Sequence, residues 1–125
     1  MRIDEDLKAI MGSADGCSLV ALGDLQTRLV LRFVSERSLT QERLNHVCAQ
    51  ANRAFRYVDA LRQDVSSETG ADDNAMMATP KGYDVFIRSA QNHTDVIFCS
   101  CNDMRTAKQL VKHAREFLLK MAPAA

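Results

Sequence analysis

The sequence lacks most of the features from which a catalytic or ligand-binding function is usually inferred. Its five glycines stand singly at positions 12, 16, 23, 70 and 82, so no glycine-rich loop is present to cradle a phosphate group. Basic and acidic residues number 16 each, which leaves no net charge and no electrostatic footprint of a nucleic-acid-binding protein. No segment approaches the roughly 18 consecutive apolar residues of a membrane span. We therefore predict no cofactor, no nucleic-acid partner and no membrane span.

The composition that is present is typical of one ordinary globular domain. Hydrophobic residues make up 46% of the chain and charged residues 26%, as in most folded domains. A chain of 125 residues has the commonest domain length and can bury a core without metal ions or disulfides. We predict a single domain over residues 1–125.

The four cysteines fall within predicted strands and a predicted helix rather than in loops. They are Cys17, Cys48, Cys99 and Cys101. Cysteine outside disulfides is among the most buried residue types, so we expect reduced thiols that pack in the core. Reduced thiols, and the lack of an apolar signal-peptide region among the first residues, indicate a cytoplasmic protein.

The hydrophobic period switches repeatedly along the chain, and the order of the switches predicts the fold. A helical period covers Ile3–Met11, about Thr40–Arg62, and Met104–Met121. Strand-like runs cover Cys17–Leu22, Thr27–Val34, Ala75–Thr79, Tyr83–Ser89 and Thr94–Cys101. The resulting order, αββαβββα, predicts an α+β fold. In it, a five-stranded antiparallel sheet lies between helices in a three-layer α/β/α arrangement.

The run Thr27–Val34 alternates in a way that predicts one wetter face. One face carries only the apolar residues Leu29, Leu31 and Phe33. The other face is half polar and carries Arg28, Val30, Arg32 and Val34. Arg28 and Arg32 are candidates to contact an acidic partner surface, and ordinary solvated arginines are the alternative interpretation.

The long middle helix is apolar over an unusually wide arc. Its central apolar face carries Leu44, Val47, Cys48, Ala51, Phe55 and Val58. On one side, Ala54, Tyr57 and Leu61 widen this face to ~180°, where a surface helix needs little more than ~100°. A helix of this kind has apolar surface for the sheet and for a second contact.

The pair Cys99-x-Cys101 is the strongest candidate for chemistry. Residues two apart on a strand share a face, and Cys17 lies on a strand that could be their neighbour. Structural zinc sites, however, normally use Cys-x(2–4)-Cys pairs in loops, and none of the three histidines lies in a nucleophile signature. We predict no metal site, no catalytic residue and no enzyme activity. A small-molecule sensor or a thiol-dependent enzyme that uses Cys17, Cys99 and Cys101 is the alternative.

Three passages of the sequence resemble the Roadblock/dynein light chain domain family. Asp15–Leu31 resembles the first hairpin of the family, and Ala78–Phe86 resembles the second. Thr94–Cys99, followed by Ala107–Leu118, resembles its last strand and closing helix. The turn Gly-Asp-Leu-Gln in the first hairpin departs from the Asp-Gly type that is common in the family. Profilin-like and longin-like domains have a similar layout.

The resemblance implies a dimer whose seam is formed by the long helix and the third strand, with one sheet continuous across both chains. Its partner is a second copy of the chain or a paralogous Roadblock-like chain. Dimers of this family commonly act on Ras-like small GTPases, as scaffolds or regulators of nucleotide turnover, or tether motors and signalling complexes. We therefore predict a non-enzymatic interaction module for a Ras-like small GTPase or signalling complex. Transferred to this sequence, the seam contains Gln50, Ala54, Tyr57, Leu61, Ala75, Met76 and Met77.

Overall fold

A computed structural model describes residues 3–64, 74–89, 92 and 94–121. The predicted helices and strands are all present in the predicted order, and their boundaries shift by no more than two residues. The elements are α1 (Ile3–Gly12), β1 (Cys17–Asp24), β2 (Leu29–Ser35), α2 (Gln41–Asp64), β3 (Asn74–Thr79), β4 (Gly82–Arg88), β5 (Asp95–Cys101) and α3 (Met104–Met121).

Side-chain caps fix where the two longer helices begin. The Thr40 hydroxyl accepts a hydrogen bond of 3.1 Å from the backbone N–H of Arg43 at the start of α2. The Asp103 carboxylate accepts one of 2.7 Å from the backbone N–H of Thr106 at the start of α3, and this bond lowers the pKa of Asp103. Each cap satisfies an N–H group that the first helical turn leaves without a partner.

The five strands form one antiparallel sheet in the order β2-β1-β5-β4-β3. The central strands β1 and β5 are the most apolar, and their paired residues Val20 and Cys99 are fully buried. The order places β2 and β3 at opposite edges of the sheet. Each edge strand therefore has one side without a neighbouring strand among the residues that the structure describes.

Helices cover both faces of the sheet, which confirms the predicted three-layer α+β fold. On one face, α2 packs its apolar stripe on the edge-to-face pair Phe86 and Phe98, whose ring centres are 6.4 Å apart. On the other face, α1 and α3 pack together over the sheet. The α2-side core contains Leu19, Ala21, Leu25, Val30, Leu44, Cys48, Ala51, Phe55, Phe86, Val96 and Phe98.

The predicted alternation of β2 is wrong. Leu29, Leu31 and Phe33 are 48%, 55% and 39% exposed, whereas Val30 from the half-polar set is buried. A bulge is the first reason: Leu22 pairs with Arg32 but Gly23 pairs with Val30, so Leu31 is an extra residue that breaks the two-residue period. The second reason is the edge position of β2, which leaves its side chains with fewer neighbours.

Candidate interaction surfaces

The predicted seam residues lie on one flank of α2 and on the adjacent edge strand β3. Ala54 on α2, and Ala75 and Met77 on β3, are half-buried and pack at the margin of the α2-side core. The cross-strand pairing shows that the side chains of Ala75 and Met77 lie on the α2 face of the sheet, because Ala75 pairs with Phe86, which is buried beneath α2. The structure thus brings the helix and strand parts of the predicted seam together.

Two large side chains on the same flank of α2 have no such cover. Tyr57 is 68% exposed and Leu61 is 53% exposed. They follow Ala54 at helical spacings of three and four residues, which place side chains on one side of a helix. The wide apolar arc inferred from the sequence therefore corresponds to an exposed apolar flank beside β3. We call Ala54, Tyr57, Leu61, Ala75 and Met77 the β3-side surface.

Of the other two predicted seam residues, Met76 lies on the opposite face of the sheet, whereas Gln50 lies on the same flank of α2 as Ala54, four residues before it. Met76 pairs with Val85 of the opposite core, so its side chain lies on the α1/α3 face of the sheet, where it is 37% exposed. Gln50 is half-buried on α2. Met76 can still contribute its backbone to a partner strand, because it lies within the edge strand β3.

The opposite flank of α2 is held by polar contacts rather than apolar ones. The Asn45 side chain accepts a hydrogen bond of 3.0 Å from the Val30 N–H, and Gln41 donates one of 3.1 Å to the Val30 carbonyl. Further along the helix, Asn52 donates a bond of 2.9 Å to the Leu25 carbonyl. Directional bonds therefore attach α2 to the β1–β2 hairpin and leave the β3-side surface apolar.

An ion pair between a buried arginine and a half-exposed aspartate attaches the C-terminal half of α2 to the sheet. Arg88 of β4 is 5% exposed and donates two hydrogen bonds of 2.8 Å to the carboxylate of Asp59. Its guanidinium also lies 4.5 Å from the ring centre of Phe55. This pair fixes the segment of α2 that carries Tyr57 and Leu61. The sequence contains one indication of this pair: the charged residue Arg88 directly follows the apolar run Val-Phe-Ile.

The four thiols are free and buried, as expected. Burial raises the pKa of Cys48 and of Cys101 to about 11. The hydrogen bond between Cys17 and Cys99 lowers the pKa of Cys17 and, together with burial, raises that of Cys99. Cys17 is only 3% exposed and Cys99 is fully buried, whereas Cys101, at 7% exposure, borders a surface cleft.

Neither a metal site nor a membrane span is formed by the residues described. Within residues 3–64, 74–89, 92 and 94–121, no cluster of three histidine, cysteine, aspartate or glutamate side chains could hold a metal ion. No helix in the same ranges combines the length and apolar character needed to cross a membrane.

The two arginines predicted to face a partner occupy different positions from those expected. Arg28 lies in the turn before β2, with a left-handed φ of 61°, and is not part of the strand face. Arg32 lies on β2 and forms an exposed ion pair of 3.4 Å with Asp4 of α1. Both side chains are exposed, and a role in partner contact stays a prediction.

Solved structures of Roadblock proteins share this architecture. A Roadblock/LC7 domain from Streptomyces avermitilis superposes with a TM-score of 0.67 at 11% identity, over 93% of this chain and 97% of that one. MglB in a tetrameric arrangement superposes with a TM-score of 0.72 at 14% identity, over 94% and 85% of the two chains. MglC from Myxococcus xanthus gives a TM-score of 0.60 at 6% identity, over 98% and 100%.

The chain therefore has the Roadblock/LC7 fold. The resemblance drawn from the two hairpins and the closing helix is confirmed at the level of the fold. At the level of sequence, neither a family model nor a curated protein matches the chain.

Proposed function

We propose that this chain is a non-enzymatic dimeric module that binds a Ras-like small GTPase and regulates or scaffolds it in the cytoplasm. The observation that carries the proposal is the apolar β3-side surface next to a free sheet edge. Exposed Tyr57 and Leu61 lie beside a strand whose outer backbone groups have no strand partner among the described residues. Surfaces of this kind mark sites of protein association.

A two-fold dimer would satisfy both parts of this surface at once. Antiparallel pairing of β3 with β3 of a second copy would join the two sheets through the outward-facing edge of each strand. The same rotation would bring the two α2 flanks together above the joined strands, because a two-fold interface uses the same patch on both subunits. A paralogous Roadblock-like chain with a similar flank could take the place of the second copy.

The partner class and the lack of enzyme activity rest on separate arguments. The Ras-like GTPase is what the Roadblock resemblance implies, and fold analogy supplies that step. Of the thiols in the alternative interpretation, Cys17 and Cys99 are buried, and burial raises the pKa of Cys101, which borders a surface cleft, to about 11. These properties favour a binding module over a thiol-dependent enzyme. Free, buried cysteines are also typical of cytoplasmic proteins.

Changing Leu61 to aspartate is expected to weaken dimerisation at least tenfold, because each protomer would bury an unpaired charge in the seam. Tyr57→Asp should act in the same way. Light scattering over a range of protein concentrations measures the effect. Arg56→Asp is the control, since Arg56 is exposed and lies about 100° from Tyr57 and about 140° from Leu61 around the helix. A seam variant that keeps the mass of the native protein at every concentration would contradict the seam.

For the GTPase partner, we expect the native dimer to bind one nucleotide state at least tenfold more tightly than the other. A regulator can shift a GTPase between its two conformations only if it binds one of them more tightly than the other. Binding of purified Ras-like GTPases, loaded with GDP or a non-hydrolysable GTP analogue, measures it, with Leu61→Asp as the control that lacks the dimer. Equal affinity for both nucleotide states would mean that the chain is a scaffold for the GTPase and not a regulator of it. No binding to any GTPase by an intact dimer would overturn the proposed partner.

A further inference from the structure

Among the residues that the structure describes, the sheet has a second edge without a neighbouring strand, at β2, and this edge exposes large apolar side chains. Leu29, Leu31 and Phe33 expose 48%, 55% and 39% of their surface. Proteins normally protect an edge strand with charges, proline or a covering segment, since it can pair with another chain. β2 is therefore a candidate interface distinct from the β3-side surface, and Phe33 is the exposed apolar side chain that lies beyond the bulge at Leu31.

The structure shows which part of this edge is open. At Val30 the edge is closed, because the side chains of Asn45 and Gln41 take up its backbone N–H and carbonyl. Further along, the Glu36 N–H donates to the Ser18 carbonyl, at 3.0 Å. Hydrogen-bonded pairs alternate in an antiparallel ladder, so Val34 and Arg32 direct their backbone groups toward β1. Phe33 and Ser35 direct theirs out of the sheet.

We propose that this open segment pairs with β2 of a second copy, antiparallel and centred on Val34. In this register the backbone groups of Phe33 lie opposite those of Ser35 in the second copy, and the reverse pair forms by symmetry. Two hydrogen-bonded pairs result, which is the full capacity of the open segment. The exposed Phe33 side chain then lies across from the other strand instead of facing water.

Charge complementarity identifies a second copy as the occupant. The same register places Arg32 opposite Glu36 of the second copy, and the two-fold axis forms this pair twice. Both side chains are exposed, and opposite charges across a strand pair are stabilising whereas like charges are destabilising. Arg32 already contacts Asp4, but that pair is 3.4 Å long with both partners more than half exposed. Such a pair is weak and easily exchanged.

An interface at β2 would extend the assembly beyond a dimer. The β3-side surface and β2 lie at opposite edges of the sheet, so one copy can use both at the same time. Two isologous interfaces on one subunit join dimers into tetramers or longer arrays. We expect the mass of the native protein to rise with concentration from the dimer through the tetramer to longer arrays, by a contact that does not depend on the β3-side seam.

Charge reversal tests this register directly. Arg32→Glu places two glutamates opposite each other, and Glu36→Arg places two arginines opposite each other. Each variant alone is expected to lose association through β2 by about tenfold. An equimolar mixture of the two should regain it, because every cross-strand pair is then oppositely charged. Mass by analytical ultracentrifugation reports the result, and circular dichroism checks that these exposed substitutions leave the fold intact.

The same experiment in the Leu61→Asp background separates the two interfaces. With the β3-side seam disrupted, association that is lost in each charge variant and restored on mixing supports pairing through β2. The β2 pairing is overturned if both single variants and their mixture have the same mass as the protein without charge reversal. This holds in the native and in the Leu61→Asp background, and whether or not the β3-side seam forms. A reversed charge that weakens binding to a GTPase without changing the mass would also overturn it, since the occupant would then be foreign.

Discussion

Replacing Gly82 with alanine is expected to lower the free energy of unfolding by about 3 kcal/mol. Gly82 has a φ of +149°, which side-chain-bearing residues rarely adopt, and it lies where the β3–β4 turn meets the end of β5. An added Cβ would collide with the carbonyl oxygen of Cys101 and lie 2.8 Å from the Cα of Asn102. Both are backbone atoms, so no side-chain rotation relieves the collision.

Gly12 provides the matched control for this substitution. It ends α1, and a Cβ built on it has no atom within 4 Å. Gly12→Ala should therefore be neutral or stabilise the protein by up to about 1 kcal/mol, since alanine favours helix. Urea unfolding of both variants measures the difference. Equal stabilities would mean that the β3–β4 hairpin does not approach the end of β5 as closely as the structure shows.

Removal of the carboxylate of Asp59 is expected to cost about 2–3 kcal/mol. Asp59→Ala leaves the guanidinium of Arg88 buried, at 5% exposure, without its counter-charge. The cost falls below that of a wholly buried pair because the side chain of Asp59 is 47% exposed and water can reach the vacated site. The effect should show as a lower midpoint in thermal or urea unfolding.

A double-mutant cycle separates the charge effect from lost packing. Arg88→Met keeps an unbranched apolar side chain near Phe55 and removes the cation, so it should cost less than Asp59→Ala. In the Arg88→Met background, the further change Asp59→Ala should cost clearly less than it does in the native protein, because the buried charge of Arg88 is no longer left without its partner. Additive losses in the double variant would show that the ion pair does not couple α2 to β4.

The order and extent of the elements could be predicted because local sequence determines them. The helical pattern of Met104–Met121 matches α3 at both ends, where Asp103 supplies the cap and the apolar residues follow one 3.6-residue period. The flank of α2 that carries Tyr57 and Leu61 was also evident, since too many apolar residues for one contact are visible on a helical wheel. Whether this flank forms the dimer seam depends on a second chain, so the seam stays a prediction.

Long-range features could not be predicted in the same way. The exposure of Leu29, Leu31 and Phe33 follows from the position of β2 at the edge of the sheet, and the alternation within a strand does not indicate the order of the strands. The bulge at Leu31 shifts the period by one residue, and the glycine at this point, Gly23, lies on the partner strand β1 rather than on β2. The Arg88–Asp59 pair joins residues 29 positions apart, and neither residue alone indicates that the two meet.

The unequal attachment of α2 affects how readily the chain can associate. Hydrogen bonds of Gln41, Asn45 and Asn52 attach the helix to the β1–β2 hairpin. The ion pair between Asp59 and Arg88 attaches it to β4. Its axis is thus fixed without any help from the flank that carries Tyr57 and Leu61. A partner that docks on this flank meets a preorganised helix, so little backbone entropy is lost on binding. Affinity can then be tuned by a few apolar side chains while the angle between the two partners stays constant.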